Sequence, residues 1–184
     1  MKKIVILTGD AAETLEVYYA YHRMQEEGWD VKIAAPKKKT LYTVVHDFEP
    51  HMETYTEKPG HRIEAEITLD EVKVEEVDGL ILPGGRAPEY IRNAPGVAAW
   101  VRAFARSGKP IAGICHAQLI LTKAGALKGK KCTAYPELAP ELEAAGAIFV
   151  NAEVVVDGNI ITSRAWPDNP AWMREFVKAV KKGG

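Results

Sequence analysis

Cys115 stands in the run IAGICHAQLILTKAG, where a β-branched segment and a small glycine lead without a loop into an apolar helical pattern. That order describes a strand-turn-helix elbow with a reactive side chain at its tip. A sulfur held there lies beside the free N–H groups of a helix N-terminus, so its thiol is expected to ionise below the usual value of about 8.5. Thiolate is the nucleophilic form. The same elbow aims the His116 N–H at the reacting centre, and Gly84 or Gly85, closing another apolar segment, is the candidate second oxyanion donor. Both groups fall at carboxyl ends of strands, where open α/β sheets bind their ligands. Cys132, in KKCTAYP, has no such surroundings and is expected to be structural filler.

A base is harder to find. The five histidines, His22, His46, His51, His61 and His116, all lie at or before position 116. Hydrolases and glutamine amidotransferases that need a histidine well downstream of the nucleophile are thereby excluded. Consecutive helical positions point about 100° apart, so His116 is not expected to turn back onto the adjacent sulfur. Proton shuttling at the pocket edge and simple packing are its two remaining roles. Carboxylates are the other candidates. In TGDAAETLE, Glu13 and Glu16 fall in the first helical turns beside the same sheet edge, three residues apart on one face. A favourable charge near a helix N-terminus is the competing explanation for either one.

The elements that must position these groups are legible as short β-branched runs alternating with helical patterns, the signature of parallel strands joined by crossover helices. Strands are expected at 3–8, 29–36, 78–85 and 109–114, with shorter ones at 154–156 and 159–163 around an Asp157-Gly158 turn. Helices are expected at 13–27, 94–106, 116–124, 137–145 and 170–182. Residues 62–68 alternate like an edge strand. Residues 37–60 open with a lysine triplet and hold two prolines; they read as a surface insertion with a hairpin, the lysines solvated rather than binding an anion. Tyr18, Tyr19 and Tyr21 form a helical stripe assigned to the core in preference to a subunit interface.

The chain has 184 residues, enough for one α/β domain over its whole length and too few for two. Hydrophobic residues make up 47% and charged residues 27%, which excludes a disordered or disulfide-scaffold chain. Lys and Arg total 24 against 25 Asp and Glu, so no net field favours nucleic acid or a membrane surface. The initial MKKIVILTGD is too short in its apolar run for a signal peptide, and no stretch reaches the roughly 20 apolar residues of a membrane span. A cytoplasmic protein with two free thiols is expected, and neither cysteine has CxxC spacing for a metal.

Taken together, Glu16 after the first strand, LPGGRAPEYIR at 82–92 and AGICHAQ at 112–118 resemble the ThiJ/PfpI family. VHDF at 45–48, KCTAYP, VVVDG at 154–158 and AWMREFVKAV extend the likeness nearly end to end, toward its PfpI and plant glyoxalase III branch. The resemblance implies a flavodoxin-like, doubly wound, mostly parallel sheet with helices on both faces, similar to class I glutamine amidotransferases. It implies Cys115 as nucleophile, Glu16 as its hydrogen-bonding acid with Glu13 as competitor, and His116 as the histidine of a Cys-His pair. Glu89 matches an acid delivered from a neighbouring subunit in PfpI-like oligomers. Ala117 and Ala20 depart from the family's usual glycine and proline. The implied activity is a cofactor-independent glyoxalase III or deglycase acting on methylglyoxal or glycated compounds through a thiohemiacetal. A PfpI-type peptidase and a redox-sensing module are the alternatives, and a homo-oligomer, from dimer to hexamer, is expected.

Overall fold

A computed structural model describes residues 1–183. Its elements run β1 (Lys3–Leu7), α1 (Thr14–Glu26), β2 (Asp30–Ala34), β3 (Thr40–Asp47), β4 (Thr56–Glu64), β5 (Gly79–Leu82), α2 (Ala87–Ile91), α3 (Val97–Arg106) and β6 (Ile111–Ile114). There follow α4 (Gln118–Lys123), β7 (Lys131–Cys132), α5 (Ala139–Ala144), β8 (Ile148–Phe149), β9 (Val154–Asp157), β10 (Ile160–Ser163) and α6 (Asn169–Lys182). The central sheet has strand order β2-β1-β5-β6-β10-β9, parallel except for the last strand, which turns back against β10.

Alternation along the strands divides the core in two. Ile4, Ile6, Ile81, Ala112 and Ile114 face one side, where Val17, Ala20 and Met24 of α1 meet Trp172, Phe176 and Val180 of α6. Val5, Leu7, Leu80, Leu82 and Ile111 face the other, covered by Val101 and Phe104 of α3, Ile120 and Leu121 of α4 and Leu142 of α5. Parallel strands sandwiched in this way must be apolar on both faces, which is why IVIL and GLIL carry no polar alternation. The chain leaves β1 for β2 on one side and returns to β5 on the other. The carboxyl ends of β1 and β5 therefore flank a topological switch point, where a crevice forms.

The hairpin expected within residues 37–60 forms the second sheet: β3 and β4 pair antiparallel over 40–64, and the hairpin folds back onto the switch point. Ala11 N donates to Tyr42 O at 2.7 Å and Val44 N to Ala12 O at 2.8 Å, so backbone bonds fasten it to the loop after β1. The alternation at 62–68 serves this hairpin as far as Glu64, and Ile67 makes only an isolated bridge to Ala34 instead of an edge strand. The three tyrosines are not core either. Val17, Ala20 and Met24 take that face of α1, leaving Tyr19 exposed and Tyr18 and Tyr21 half-buried.

The two layers are closely fitted around β5. A Cβ placed on Gly79 would stand 2.6 Å from Cζ of Phe176, itself fully buried on α6. Phe176→Ala should therefore destabilise the fold by about 3–5 kcal/mol, read as a lower urea midpoint with an unchanged m-value.

Candidate active site

The elbow is built from backbone strain. Cys115 has φ +60°, a left-handed conformation that a side chain with a Cβ adopts at a cost of order 1 kcal/mol, and it stands between extended Ile114 and a tight 3-10 turn at Cys115–Ala117. Neighbouring elements hold it there. Tyr135 N donates to Cys115 O at 3.3 Å. Gln118, fully buried, directs its Nε2 at Thr133 O (2.6 Å), Ser163 O (3.2 Å) and Gly113 O (3.4 Å), tying the ends of β6 and β10 to the segment after β7.

The tight turn also corrects the expectation for His116. Its Nδ1 lies 3.1 Å from Cys115 Sγ, because a 3-10 turn that starts from a left-handed residue does not impose the 100° separation of a regular helix. Cys115 and His116 are contacts within one chain. Both are nearly covered, at 4% and 7% exposure.

Glu16 comes to the sulfur from α1. It is fully buried, lies beside Cys115 across Gly84, and accepts from Gly84 N through Oε2 at 2.7 Å. A Cβ on Gly84 would lie 2.5 Å from the Cys115 Cβ and 2.7 Å from Glu16 Oε2, so only glycine lets the three groups meet. With the Gly84 amide engaged by Glu16, the two N–H groups that point at the sulfur are those of Gly85 and His116. Glu13 does not face the thiol. It is the N-cap of α1, accepts from Glu16 N at 2.8 Å, and stands behind Glu16 as a second buried carboxyl group.

Burial governs the charges here. It pushes the Glu16 carboxyl up, with Glu13 adding to the effect, and it pushes Glu13 up to about 7. The Cys115 thiol also moves upward, first through burial and then through Glu16, although the Gly85 and His116 amides pull the other way. The helix N-terminus expected to lower this thiol is outweighed by the loss of water around it. Burial thus favours the neutral forms of both Cys115 and Glu16, and a thiolate has to form against that cost. His116 is pushed down to about 4 by burial and by His46, so it is neutral at physiological pH.

The hairpin supplies a wall that sequence reasoning missed. His46, buried on β3, stacks on Tyr55 (4.3 Å between ring centroids) and its Nε2 lies 2.8 Å from Glu57 Oε2. Glu57 holds Arg86 by both of its oxygens, at 2.8 Å from Oε1 to Nη2 and 2.8 Å from Oε2 to Nε. These bonds, chiefly that to Arg86, hold the Glu57 carboxyl down at about 2. Arg86 directly follows Gly85, so the ion pair joins the hairpin to the loop that aims an amide at the sulfur. Tyr55 meets His116 and Tyr135 edge-on at 5.9 and 5.3 Å, and His116 stacks on Tyr135 at 5.3 Å. The VHDF run carried His46, but nothing local pairs 45–48 with 55–57. Their opposition depends on a hairpin whose register is set by the chain around it.

Glu89, in α2, is exposed and does not reach His116 in this chain. Ala117 and Ala20 are fully buried. Cys132 is buried and free, its thiol pushed up to about 11 chiefly by burial. Lys38 and Lys39 are paired with Glu71 and Asp10, so two lysines of the triplet are occupied by carboxylates. Among the described residues no group of three or more His, Cys, Asp or Glu side chains is arranged to hold a metal ion, and no helix is long and apolar enough to cross a membrane.

Comparison with known proteins gives one consistent set of relatives. The family model described as the DJ-1/PfpI family matches residues 2–179. Protein DJ-1 homolog D of Arabidopsis thaliana is 44% identical over 186 residues, covering 97% of this chain and 48% of its own, so the chain spans about half of that relative. Deglycase PfpI of Pyrococcus furiosus is 41% identical over 179 residues, covering 97% of this chain and 99% of its own. Among solved structures, a ThiJ/PfpI domain protein from Brachyspira murdochii superposes with TM-score 0.84 at 16% identity, over 98% of this chain and 96% of its own.

The raised Glu13 pKa has a definite sign for stability. A carboxyl group whose folded value lies above its unfolded one, here about 7 against 4.5, stabilises the fold at pH below 4.5 and loses that contribution as pH rises through 7. Glu13→Gln keeps an acceptor for the Glu16 amide and removes the titration. Between pH 5 and pH 8 the wild type should lose on the order of 2 kcal/mol more unfolding free energy than this variant, measured by urea denaturation at each pH.

Proposed function

Because the chain belongs to the DJ-1/PfpI family, we propose that it is a cysteine-dependent enzyme of deglycase or glyoxalase type, acting without a cofactor on methylglyoxal or on compounds glycated by it. The observation that carries the reading is the buried contact of Glu16 with Cys115 beneath the Gly85 and His116 amides. A thiol, a proton-carrying acid and two N–H donors converge on one point, which is what addition to a carbonyl group requires.

In this mechanism the Cys115 thiolate attacks the aldehyde carbon of methylglyoxal, forming an S–C bond. The carbonyl π pair moves to oxygen, which meets the amides of Gly85 and His116 and takes the proton of Glu16, giving the thiohemiacetal. Glu16, now a carboxylate, removes the hydrogen on that carbon to form an enediolate and returns the proton to the neighbouring carbon, while the hydroxyl proton on the first oxygen passes to the second as the C–S carbon becomes a carbonyl. The product is a lactate thioester of Cys115. One water hydrolyses it, releasing lactate and restoring the thiol. For an amine glycated as the hemiaminal of methylglyoxal, sulfur displaces the amine, which leaves with the proton of Glu16, and the resulting thiohemiacetal follows the same isomerisation and hydrolysis. Raised ionisation suits Glu16 to both directions of transfer, since an ordinary carboxylate would hold no proton to give at neutral pH.

The 3.1 Å approach of His116 Nδ1 to the sulfur favours a second reading, a peptidase or amidase with His116 as base. In that reading Glu89 of a second copy would complete the triad, which makes the assembly, from dimer to hexamer, part of the site. Glu89→Ala should then abolish peptide cleavage while leaving methylglyoxal turnover intact.

For the favoured reading, Cys115→Ala should abolish lactate formation from methylglyoxal in the absence of glutathione. Glu16→Gln, which keeps the shape and the bond from Gly84, should lower kcat by at least a hundredfold. Lactate production by Cys115→Ala at the wild-type rate would overturn the proposal.

A further inference from the structure

Tyr55 stands at the base of β4, half-buried, and its ring closes the hairpin over the site. Its neighbours fix it on three sides: His46 stacks beneath it at 4.3 Å, and His116 and Tyr135 meet it edge-on. The strand pairing supports the same placement, since His46 lies directly opposite Glu57 and Tyr55 is two residues before Glu57, on the same side of β4. His46 is fixed in turn by Trp166 Nε1, which donates to its carbonyl oxygen at 2.6 Å, and by its bond to Glu57. A side chain braced in this way does not serve as loose cover.

The phenol is also the right kind of group. Burial, with Cys115 as the strongest neighbouring charge ahead of Glu89, pushes it up to about 12, so the O–H keeps its proton across the physiological range. The amides of Gly85 and His116 approach the sulfur from the loops at the sheet edge, whereas Tyr55 comes from the hairpin and sets its ring edge-on to that of His116, the residue whose Nδ1 meets the sulfur. A substrate with two adjacent oxygens bound to the sulfur between them would offer one oxygen to the amides and the other to the hairpin.

We propose that Tyr55 is a further catalytic residue, whose O–H hydrogen-bonds the second oxygen of a 1,2-dicarbonyl substrate while Cys115 holds the first carbon. This rests on the carbonyl reading above. When Glu16 removes the hydrogen from the first carbon, the electron pair of that C–H bond becomes the carbon-carbon double bond of the enediol. The π pair of the second carbonyl then moves onto its oxygen. Tyr55 stabilises that developing charge and retains its own proton; the proton returned to the second carbon is the one carried by Glu16, and the hydroxyl proton of the first carbon passes to the second oxygen as the first carbon becomes the thioester carbonyl. The class of substrate selected is thus the α-oxoaldehyde rather than the simple aldehyde, which has no oxygen to place there.

Tyr55→Phe tests the role of the oxygen alone, because the ring and its packing remain. Methylglyoxal turnover is measured for wild type, Cys115→Ala and Tyr55→Phe, and the rate of Cys115 alkylation by iodoacetamide is measured for wild type and Tyr55→Phe. The expected result is a fall in kcat of ten- to a thousandfold for Tyr55→Phe, with KM and alkylation within twofold of wild type. A kcat within twofold of wild type while Cys115→Ala is inactive overturns the role of Tyr55 and leaves the carbonyl chemistry standing. A parallel fall in kcat and alkylation also overturns it, by showing that the substitution disturbed the thiol. Wild-type turnover no greater than that of Cys115→Ala overturns the carbonyl reading and the Tyr55 proposal together.

Discussion

The burial of two acids side by side is the constraint from which the site follows. Cys115 and Glu16 are buried side by side, and burial raises both; Glu16 pushes the thiol up further, whereas Cys115 pulls the carboxyl group back down. Such a pair is stable only where donors compensate the charge it carries, and the structure provides them on both members. Gly84 N bonds the carboxyl group, while the Gly85 and His116 amides face the sulfur. Three features of the chain accompany this contact: a strained φ at Cys115, a missing Cβ at Gly84, and a left-handed Gly85 at φ +73°. Strain stored in the elbow is offset by the sheet on which it rests, since β6 and β5 are buried on both faces.

Around that pair the protein places charges that do not titrate near neutrality. The Glu57 carboxyl is held low by Arg86 and His46, and His116 is held neutral. Glu13 is the exception, poised at about 7 directly behind Glu16. Its second oxygen has no hydrogen-bond partner, so ionising it adds an uncompensated charge to the α1 terminus. Glu13 is therefore a group that responds to physiological pH, and it lies one residue layer away from the proton that the chemistry would use.

Much of the central architecture was legible in the sequence because it depends on local pattern. Apolar runs on both faces of a strand mark a parallel sheet, and IAGICHA marks the elbow through the absence of any loop between strand and helix. Glu16 could be placed beside Cys115 from its position after the first strand and from the family resemblance. Apart from His116, the failures share one cause, which is distance along the chain. The hairpin's alternation at 62–68 was visible, but whether it pairs with β3 or with the central sheet is decided by tertiary contacts. The thiol was misjudged because helix position is local and desolvation is not: the atoms that bury Cys115 come from α1, the β5 loop and the hairpin. His116 was misjudged because a regular helical rotation was assumed where the backbone begins in a left-handed turn. Tyr55, Glu57 and Arg86 carry no local signal at all, and only the fold makes them neighbours.

The bond from Trp166 to the His46 carbonyl joins segments 120 residues apart, and β10, which flanks the elbow strand, is also among the last elements in the chain. Pairings of such long separation are slow to form because their loop must close before any contact rewards it. During synthesis the elbow strand and both carboxyl groups leave the ribosome well before the segment that braces the roof. Until then the reactive sulfur has a sheet to one side only, and an unpaired strand edge on the other. The thiol of a nascent chain is accordingly open to oxidation or to stray electrophiles in a way that the completed molecule, which leaves it 4% exposed, is not.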